Sequence, residues 1–402
     1  MKTTPLPSSA GSAPVSRLAA PLPTFDYDPL SRVVFGAGTL TRLGELVRAL
    51  GGTRVLLITD PGLEAAGHPQ RALQSLLSAG LEAFVFDAVE ENPTTRHVEA
   101  GLEMARDRKV DLLVAVGGGS SMDCAKGVNF LLTNGGSMAD YKGFGKATKP
   151  MLPSIGVPTT AGTGSEAQSY ALIADARTHM KMACGDRKAA FRISLLDPEL
   201  TVSQPSGVTA FTGIDALSHA VESYVTTKRN PLSQMFAREA WRLLQPNYEK
   251  VLRKPGDLEP RSAMQLGAYL AGAAIETSML GAAHALANPL TAHYGLTHGI
   301  AIGILLPHVV RFNAAAAGSL YGDLIHDVGL LNGDEHAAGE VLAHYLSSLL
   351  RVAELPANLS SCGVSHGILP LLAEEASQQW TGKFNPRPVG EPELLALYEA
   401  AW

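Results

Sequence analysis

Cysteine is scarce: only Cys124, Cys184 and Cys362 occur in 402 residues. An odd number with no C-x-x-C spacing argues against a disulfide scaffold and for a reducing compartment. Charge is sparse as well, with 32 Lys and Arg against 38 Asp and Glu, a net charge of −6 and a pI near 6.1. That balance offers no electrostatic case for nucleic acid or an anionic membrane and suits a small, neutral or weakly charged partner. Long apolar runs are missing. The stretch from Ile300 to Val310 is interrupted by Pro307 and His308 and falls short of the roughly 20 residues of a membrane span. No repeat is visible, and low complexity is confined to residues 1–24, which are rich in Ser, Pro and Ala. With Lys2 and Arg17 as its only charges and no sustained apolar core, that segment reads as a disordered tail rather than a secretory signal. These absences together predict a soluble, cytoplasmic protein.

What is present is apolar: 46% of residues are hydrophobic and 17% charged, enough to bury large cores. The length exceeds the roughly 250–300 residues at which a single core stops growing, so two domains are expected. From about Arg32 to Asp197 short β-rich runs alternate with helical segments, the pattern of a parallel sheet covered by helices. Arg54–Asp60, Ala83–Asp87 and Asp111–Val116 are predicted strands. Gln70–Ser78 and Thr94–Arg106 are predicted helices, the second opened by the cap Asn92-Pro-Thr-Thr. After Pro205 the chain turns to long helical stretches, among them Asn230–Leu244, Glu259–Ile275 and Glu335–Leu350. The expected division is an α/β dinucleotide-binding domain over 25–205 and an all-helical domain over 206–402.

Two glycine-rich turns stand out in the first half. Leu112-Leu-Val-Ala-Val leads through Gly117, Gly118 and Gly119 into a predicted helix. Glycines there allow a phosphate to approach backbone N–H groups, and the helix N-terminus offers it partial positive charge. The run is not the G-x-G-x-x-G fingerprint. A second loop, Pro158-Thr-Thr-Ala-Gly-Thr-Gly-Ser-Glu166, follows another apolar strand and carries hydroxyl donors on Thr159, Thr160 and Thr163. One such loop is as readily a pair of tight turns, but two at strand ends in one α/β domain favour a ligand lying across those ends. Asp60 closes a predicted strand, where a carboxylate accepts hydrogen bonds from an adenosine ribose and repels a 2′-phosphate. This points to NAD over NADP, although Asp60 is equally suited to the turn before Pro61-Gly62.

In the second half Asp215 and His219 fall four apart on a predicted helix from Ile214 to Val225, and so share a face. His284 opens His-Ala-Leu-Ala-Asn-Pro, read as the end of a helix before Pro289. His298 is read in a loop ahead of an apolar helix from Ile300 to Leu306. Three nitrogens and one carboxylate suit a divalent first-row ion, iron and zinc alike. A lone histidine among apolar neighbours is more often a packing residue, so the pair draws its weight from the motifs around it.

Taken in order, Gly117-Gly-Gly-Ser-Ser-Met-Asp-Cys-Ala-Lys126, Pro158-Thr-Thr-Ala-Gly-Thr-Gly-Ser-Glu166, Gly213-Ile-Asp-Ala-Leu-Ser-His-Ala-Val-Glu222, and His284-Ala-Leu-Ala-Asn-Pro with Thr297-His-Gly-Ile-Ala carry a resemblance. From about Phe35 to Trp402 the chain resembles the iron-containing alcohol dehydrogenases, a family that includes lactaldehyde reductase and butanol and methanol dehydrogenases. The resemblance implies a Rossmann-like parallel-sheet domain followed by an all-α domain, the dehydroquinate synthase-like architecture, with the active site between them. It places metal ligands at Asp215, His219, His284 and His298. It places nucleotide contacts at Asp60, Asn92, Gly118, Gly119, Ser120, Thr159, Thr160 and Lys181. It also implies a homodimer. One position departs from the pattern: many relatives have a second histidine four residues after the one matching His284, assigned to a proton path, and this chain has Asn288. An amide does not titrate near neutral pH, so water and the ribose hydroxyls, or His293, would have to carry the proton.

The activity implied is hydride transfer between NAD, or NADP, and a small alcohol or aldehyde, with Fe2+, or Zn2+, as Lewis acid. Maleylacetate reductase-like reduction is a second reading within redox chemistry. A dehydroquinate synthase-like sugar-phosphate cyclase is a third, but it would need a basic pocket, and residues 275–308 contain no Lys or Arg. A nucleotide-binding protein without turnover is the fourth. The substrate itself is not legible.

Overall fold

The computed structural model describes residues 24–178, 180–330 and 337–402. The tail expected over 1–24 therefore lies, apart from Thr24, outside the described residues. The first half runs β1 (Arg32–Phe35), α1 (Leu43–Ala49), β2 (Arg54–Ile58), α2 (His68–Ser78), β3 (Glu82–Phe86), α3 (Thr95–Asp107), β4 (Leu112–Gly117), α4 (Gly119–Asn134), β5 (Gly143–Phe144), β6 (Ser154–Pro158), β7 (Tyr170–Ala174), β8 (Lys181–Gly185) and β9 (Ile193–Leu196). Six of these strands form a parallel sheet in the order β1-β9-β6-β4-β2-β3. Period-two alternation sends Val55 and Leu57 of β2 to one face, against Leu43, Leu46, Val47 and Leu76 of α1 and α2. Leu56 and Ile58 go to the other face, against Val98, Leu102 and Val128 of α3 and α4. Both faces are covered, which is why these strands read as unbroken apolar runs. Thr94, the expected first residue of the helix, instead caps α3 through a reciprocal box with His97, so the helix begins one residue later.

A second, three-stranded sheet, β5-β8-β7 with β7 and β8 antiparallel, was not anticipated from the sequence. Ala171, Ile173, Met182 and Cys184 form its inner face in the same core as α4. Tyr170 pairs with Gly185 and Ala174 with Lys181 on its outer face.

After Pro205 no described residue lies in a strand. Helices α5 (Ser206–Val225), α6 (Pro231–Arg253), α7 (Leu258–Thr277), α8 (Ala282–Tyr294), α9 (His298–Asp327), α10 (Ala338–Val352), α11 (Leu369–Ser377) and α12 (Glu391–Ala401) share one large apolar core. Asn230, expected inside α6, is its cap: Oδ1 accepts from the N–H groups of Leu232 and Ser233 at 3.0 Å each. Glu335, expected to open α10, lies outside the described residues.

Two boundaries that matter for function differ from the sequence reading. α8 does not end at Pro289 but begins two residues before His284 and runs through the proline, while α9 begins at His298 and passes through Pro307. An interior proline removes one backbone hydrogen bond and crowds the preceding turn, a cost of about 3 kcal/mol. Here Pro289 and Pro307 are themselves buried, among Leu286, Leu290, Leu305 and Val309, and the packing of buried helices outweighs the local penalty. α9 is long and apolar enough to cross a membrane by length and composition. In this fold it packs against α5, α8 and α10.

Helix α7 fastens the two halves together. Gln265 donates from Nε2 to the carbonyls of Pro158, at 3.2 Å, and Asp197, at 3.3 Å. The buried Arg261 donates to Gln204 Oε1 and Thr209 Oγ1, at 3.0 Å each, across the start of α5.

Candidate active site

α5 carries Asp215 and His219 on one buried face, α8 brings His284 in its first turn, and α9 presents His298 as its first residue. Because α9 packs on both α5 and α8, residues up to 83 positions apart converge. The Nε2 atoms of His219, His284 and His298 lie 3.4, 3.7 and 4.0 Å from Asp215 Oδ1. His219 Nε2 and His284 Nε2 are 3.1 Å apart. Donors bound at about 2.0–2.2 Å around a tetrahedral ion sit roughly 3.3–3.6 Å from one another; Asp215, His284 and His298 form a group whose donor atoms all lie within 4.8 Å of one another, and His219 stands beside it, close to Asp215 and His284.

Two further observations test that fit. Asp215 Oδ1 is buried and has no hydrogen-bond partner among the described residues, which is costly for a carboxylate oxygen without a cation beside it. Burial alone would raise the Asp215 carboxyl, but His219, His298 and His284 around it hold it well below the usual carboxylate range. Burial likewise pushes His284 down, yet the carboxylates of Glu222 and Asp215 lift it to about 9. Burial pushes the other two imidazoles, His219 and His298, down, so they are held as neutral donors. Asp215, His219 and His284 are closed off from solvent, while the His298 side chain keeps 30% of its surface exposed, so access is from its side.

The nucleotide candidates line one edge of the large sheet. Asp60 follows β2, Asn92 follows β3 with φ at 55°, Gly118, Gly119 and Ser120 follow β4, and Thr159 and Thr160 follow β6. These four strands are neighbours, in the order β6-β4-β2-β3, and their C-terminal ends are where ligands of open α/β sheets sit. The two glycine-rich loops touch: a Cβ on Gly118 would lie 3.3 Å from Thr160 Cγ2, and one on Gly119 2.9 Å from Thr163 Cγ2. Gly117 combines φ of 156° with a clash, since a Cβ there would fall 2.3 Å from Ser121 Oγ. Helix α4 starts at Gly119 with no side chain capping it, so its first N–H groups stay free for an anion. Asp60 Oδ2 accepts from Ser121 Oγ at 3.3 Å, next to that helix start. Lys181 is the candidate that lies off the large sheet. It opens β8, and burial pushes its ammonium below the usual lysine range against the opposing pull of Asp123, Glu91 and Asp215.

Asn288 and His293, the two residues weighed for the proton path, both have side-chain partners. Asn288 Nδ2 donates to Gln379 Oε1 at 3.0 Å. His293 does not replace a missing histidine: it pairs with Glu375 at 2.9 Å. It also follows His284 by nine positions on α8, roughly 13 Å along a helix axis.

Glu222 had no role in the sequence reading, although its motif was singled out. Its Oε2 lies 2.5 Å from His284 Nδ1, and its Oε1 accepts from the N–H of Ala283 at 2.8 Å. The available signal was spacing: positions 215, 219 and 222 fall on one helical stripe. Asn385, whose Oδ1 accepts from the N–H of Ala282 at 3.3 Å, left no such trace because it comes from a turn 103 residues away.

Residues 30–198 match the profile described as iron-containing alcohol dehydrogenase, and residues 209–402 that of the Fe-containing alcohol dehydrogenase family, C-terminal. The chain is 34% identical to alcohol dehydrogenase 4 of Schizosaccharomyces pombe over 98% of its own length and 91% of the relative's. It is 35% identical to 1,3-propanediol dehydrogenase of Citrobacter freundii over 94% of this chain and 99% of that one. The crystal structure of a 1,3-propanediol oxidoreductase superposes with a TM-score of 0.92 at 34% identity, covering 94% of this chain and all of the other.

Proposed function

This chain belongs to the iron-containing alcohol dehydrogenase family and is an oxidoreductase of that type, and from that premise we propose a metal-dependent, NAD-linked reaction interconverting a small alcohol and its aldehyde. The observation that carries the proposal is the convergence of three imidazole Nε2 atoms within 4.0 Å of one buried, unpartnered carboxylate oxygen. Asp215, His219, His284 and His298 are the residues that would hold the ion, Fe2+ or Zn2+ by donor chemistry. When bound, a divalent cation acts as a Lewis acid on an alcohol or carbonyl oxygen, and a nicotinamide exchanges the hydride with the adjacent carbon.

The protein's own residues supply alignment. Asp60, Asn92, Gly118, Gly119, Ser120, Thr159 and Thr160 would seat the dinucleotide along the sheet edge, with free N–H groups of α4 toward the pyrophosphate. Lys181, at the start of β8 in the small sheet, is the remaining candidate for a nucleotide contact. Asp60, beside the start of α4, is the reason to favour NAD over NADP. Asn288 is committed to Gln379 and His293 to Glu375, so the proton of the alcohol leaves through water or ribose hydroxyls. Burial of Asp215, His219 and His284 keeps bulk water from the donor side of the reacting carbon. Sugar-phosphate elimination is the less favoured reading, since residues 275–308, which carry two of the donors, hold no Lys or Arg.

The test is metal analysis of protein purified without oxygen, with NADH oxidation followed against small aldehydes before and after chelation. About one ion per chain and chelator-sensitive oxidation are expected. Bound metal with phosphate release and no net NADH change would overturn the proposal in favour of elimination, and absence of metal would overturn the ligand set.

A further inference from the structure

The stripe on α5 that bears Asp215 and His219 continues to Glu222, a carboxylate 4% exposed. No Lys or Arg pairs with it among the described residues, and its ion-pair partner is the His284 imidazole. A buried carboxylate with no fixed positive charge beside it costs several kcal/mol, so packing alone gives no reason for one here. Space has been made for it: a Cβ on Gly281 would lie 3.0 Å from Glu222 Oε1 and 3.0 Å from Asn385 Oδ1. The Asn385 amide is itself locked by reciprocal bonds with Asn313, at 3.0 and 2.7 Å. The two carboxylate oxygens are divided, Oε1 on the backbone of Ala283 and Oε2 on the ring of His284.

We propose that Glu222 is the positioning residue of the donor cluster: it holds the proton of His284 on Nδ1 and thereby aims the Nε2 lone pair at the space beside Asp215. An imidazole has one proton to place when neutral, and a carboxylate at one nitrogen leaves the other free as a donor atom. Coordination at Nε2 strengthens the Nδ1–H donor, which compensates the buried carboxylate. His298, by contrast, has no partner for its Nδ1 among the described residues, so Glu222 makes His284 the fixed ligand of the set. The inference rests on the metal-site reading above and adds to it the group that orients a ligand.

The discriminating variant is Glu222→Gln. Its amide oxygen still accepts from the N–H of Ala283, so the start of α8 keeps its bond, but its NH2 group donates toward His284 Nδ1 and drives the proton to Nε2. Cobalt(II) binding followed by its visible absorption, together with release of the ion to a chelator, reads the site without turnover. Cobalt affinity about 10- to 100-fold weaker than wild type is expected, with an altered absorption band and an unchanged unfolding temperature of the metal-free protein. Wild-type affinity and spectrum in Glu222→Gln would overturn the positioning role while leaving the four ligands standing. A loss of metal-free stability large enough to account for the weaker binding would reduce Glu222 to a helix cap and overturn it too. If wild type takes up no cobalt, the ligand reading fails and this inference with it. A measurement needing no variant decides the same point. Nitrogen-15 histidine spectra of the zinc-loaded wild type should show His284 protonated at Nδ1, and protonation at Nε2 would overturn the proposal.

Discussion

Gly164 and Gly272 meet backbone to backbone: a Cβ on Gly272 would lie 2.5 Å from the Gly164 carbonyl oxygen, and one on Gly164 would lie 2.7 Å from Gly272 Cα. The second glycine-rich loop therefore rests directly on α7, with no side chain between Gly164 and Gly272. Gly272→Ala should force them apart, destabilising the protein by about 1–3 kcal/mol. Because the displaced loop carries Thr159 and Thr160, NADH affinity should fall in parallel. Denaturant unfolding and a fluorescence titration of NADH check both, and unchanged affinity would show that the loop does not seat the nucleotide.

His298→Ala removes the most exposed of the four donors. Bound metal and turnover should be lost together, with kcat/KM down by at least about 100-fold, as expected when several kcal/mol of Lewis-acid stabilisation disappears. Metal analysis beside aldehyde-dependent NADH oxidation measures both, and a metal-free variant at full activity would contradict the site.

Asp60→Ala should relax the choice of nucleotide. Removing a carboxylate from the start of α4 takes away repulsion of a 2′-phosphate and a ribose acceptor, so the ratio of kcat/KM for NADPH over NADH should rise about 10-fold or more. A ratio that does not move would place Asp60 in the turn alone.

Glu166 provides the pH dependence. It is 4% exposed, and burial pushes its carboxyl up to about 7 against a lesser pull from its own backbone N–H and Lys126. A carboxyl whose folded pKa is raised binds its proton more tightly in the native state, so its stabilisation is complete below the unfolded value of 4.5 and is lost as pH rises to about 7. Glu166→Gln stays neutral throughout. The stability difference between variant and wild type should therefore grow in the variant's favour by about 3 kcal/mol between pH 4.5 and pH 8 and level off above that. Urea unfolding across that range tests it, and a difference independent of pH would mean that folding does not raise the Glu166 carboxyl.

The order of the motifs and the alternation of apolar runs determined by themselves that a helix-covered parallel sheet precedes an all-helical half. Both signals are local: a strand buried on both faces has to be apolar where it is covered, as β4 and β2 after Arg54 are, and a glycine turn into a helix is written in adjacent residues. The pairing of Asp215 with His219 was equally legible, because one helix sets their spacing. Residues from different elements were another matter. Where α8 starts and how far α9 runs depend on buried packing that tolerates Pro289 and Pro307, a term no local rule contains. The small sheet of β5, β7 and β8 likewise exists because its inner face completes the core beneath α4. The approach of His284 and His298 to within 4.0 Å of Asp215 was decided by the contacts of α9 with α5 and α8. Glu222 acquired its partner only when α8 was laid against α5, since a buried carboxylate takes its meaning from the group that folding sets against it.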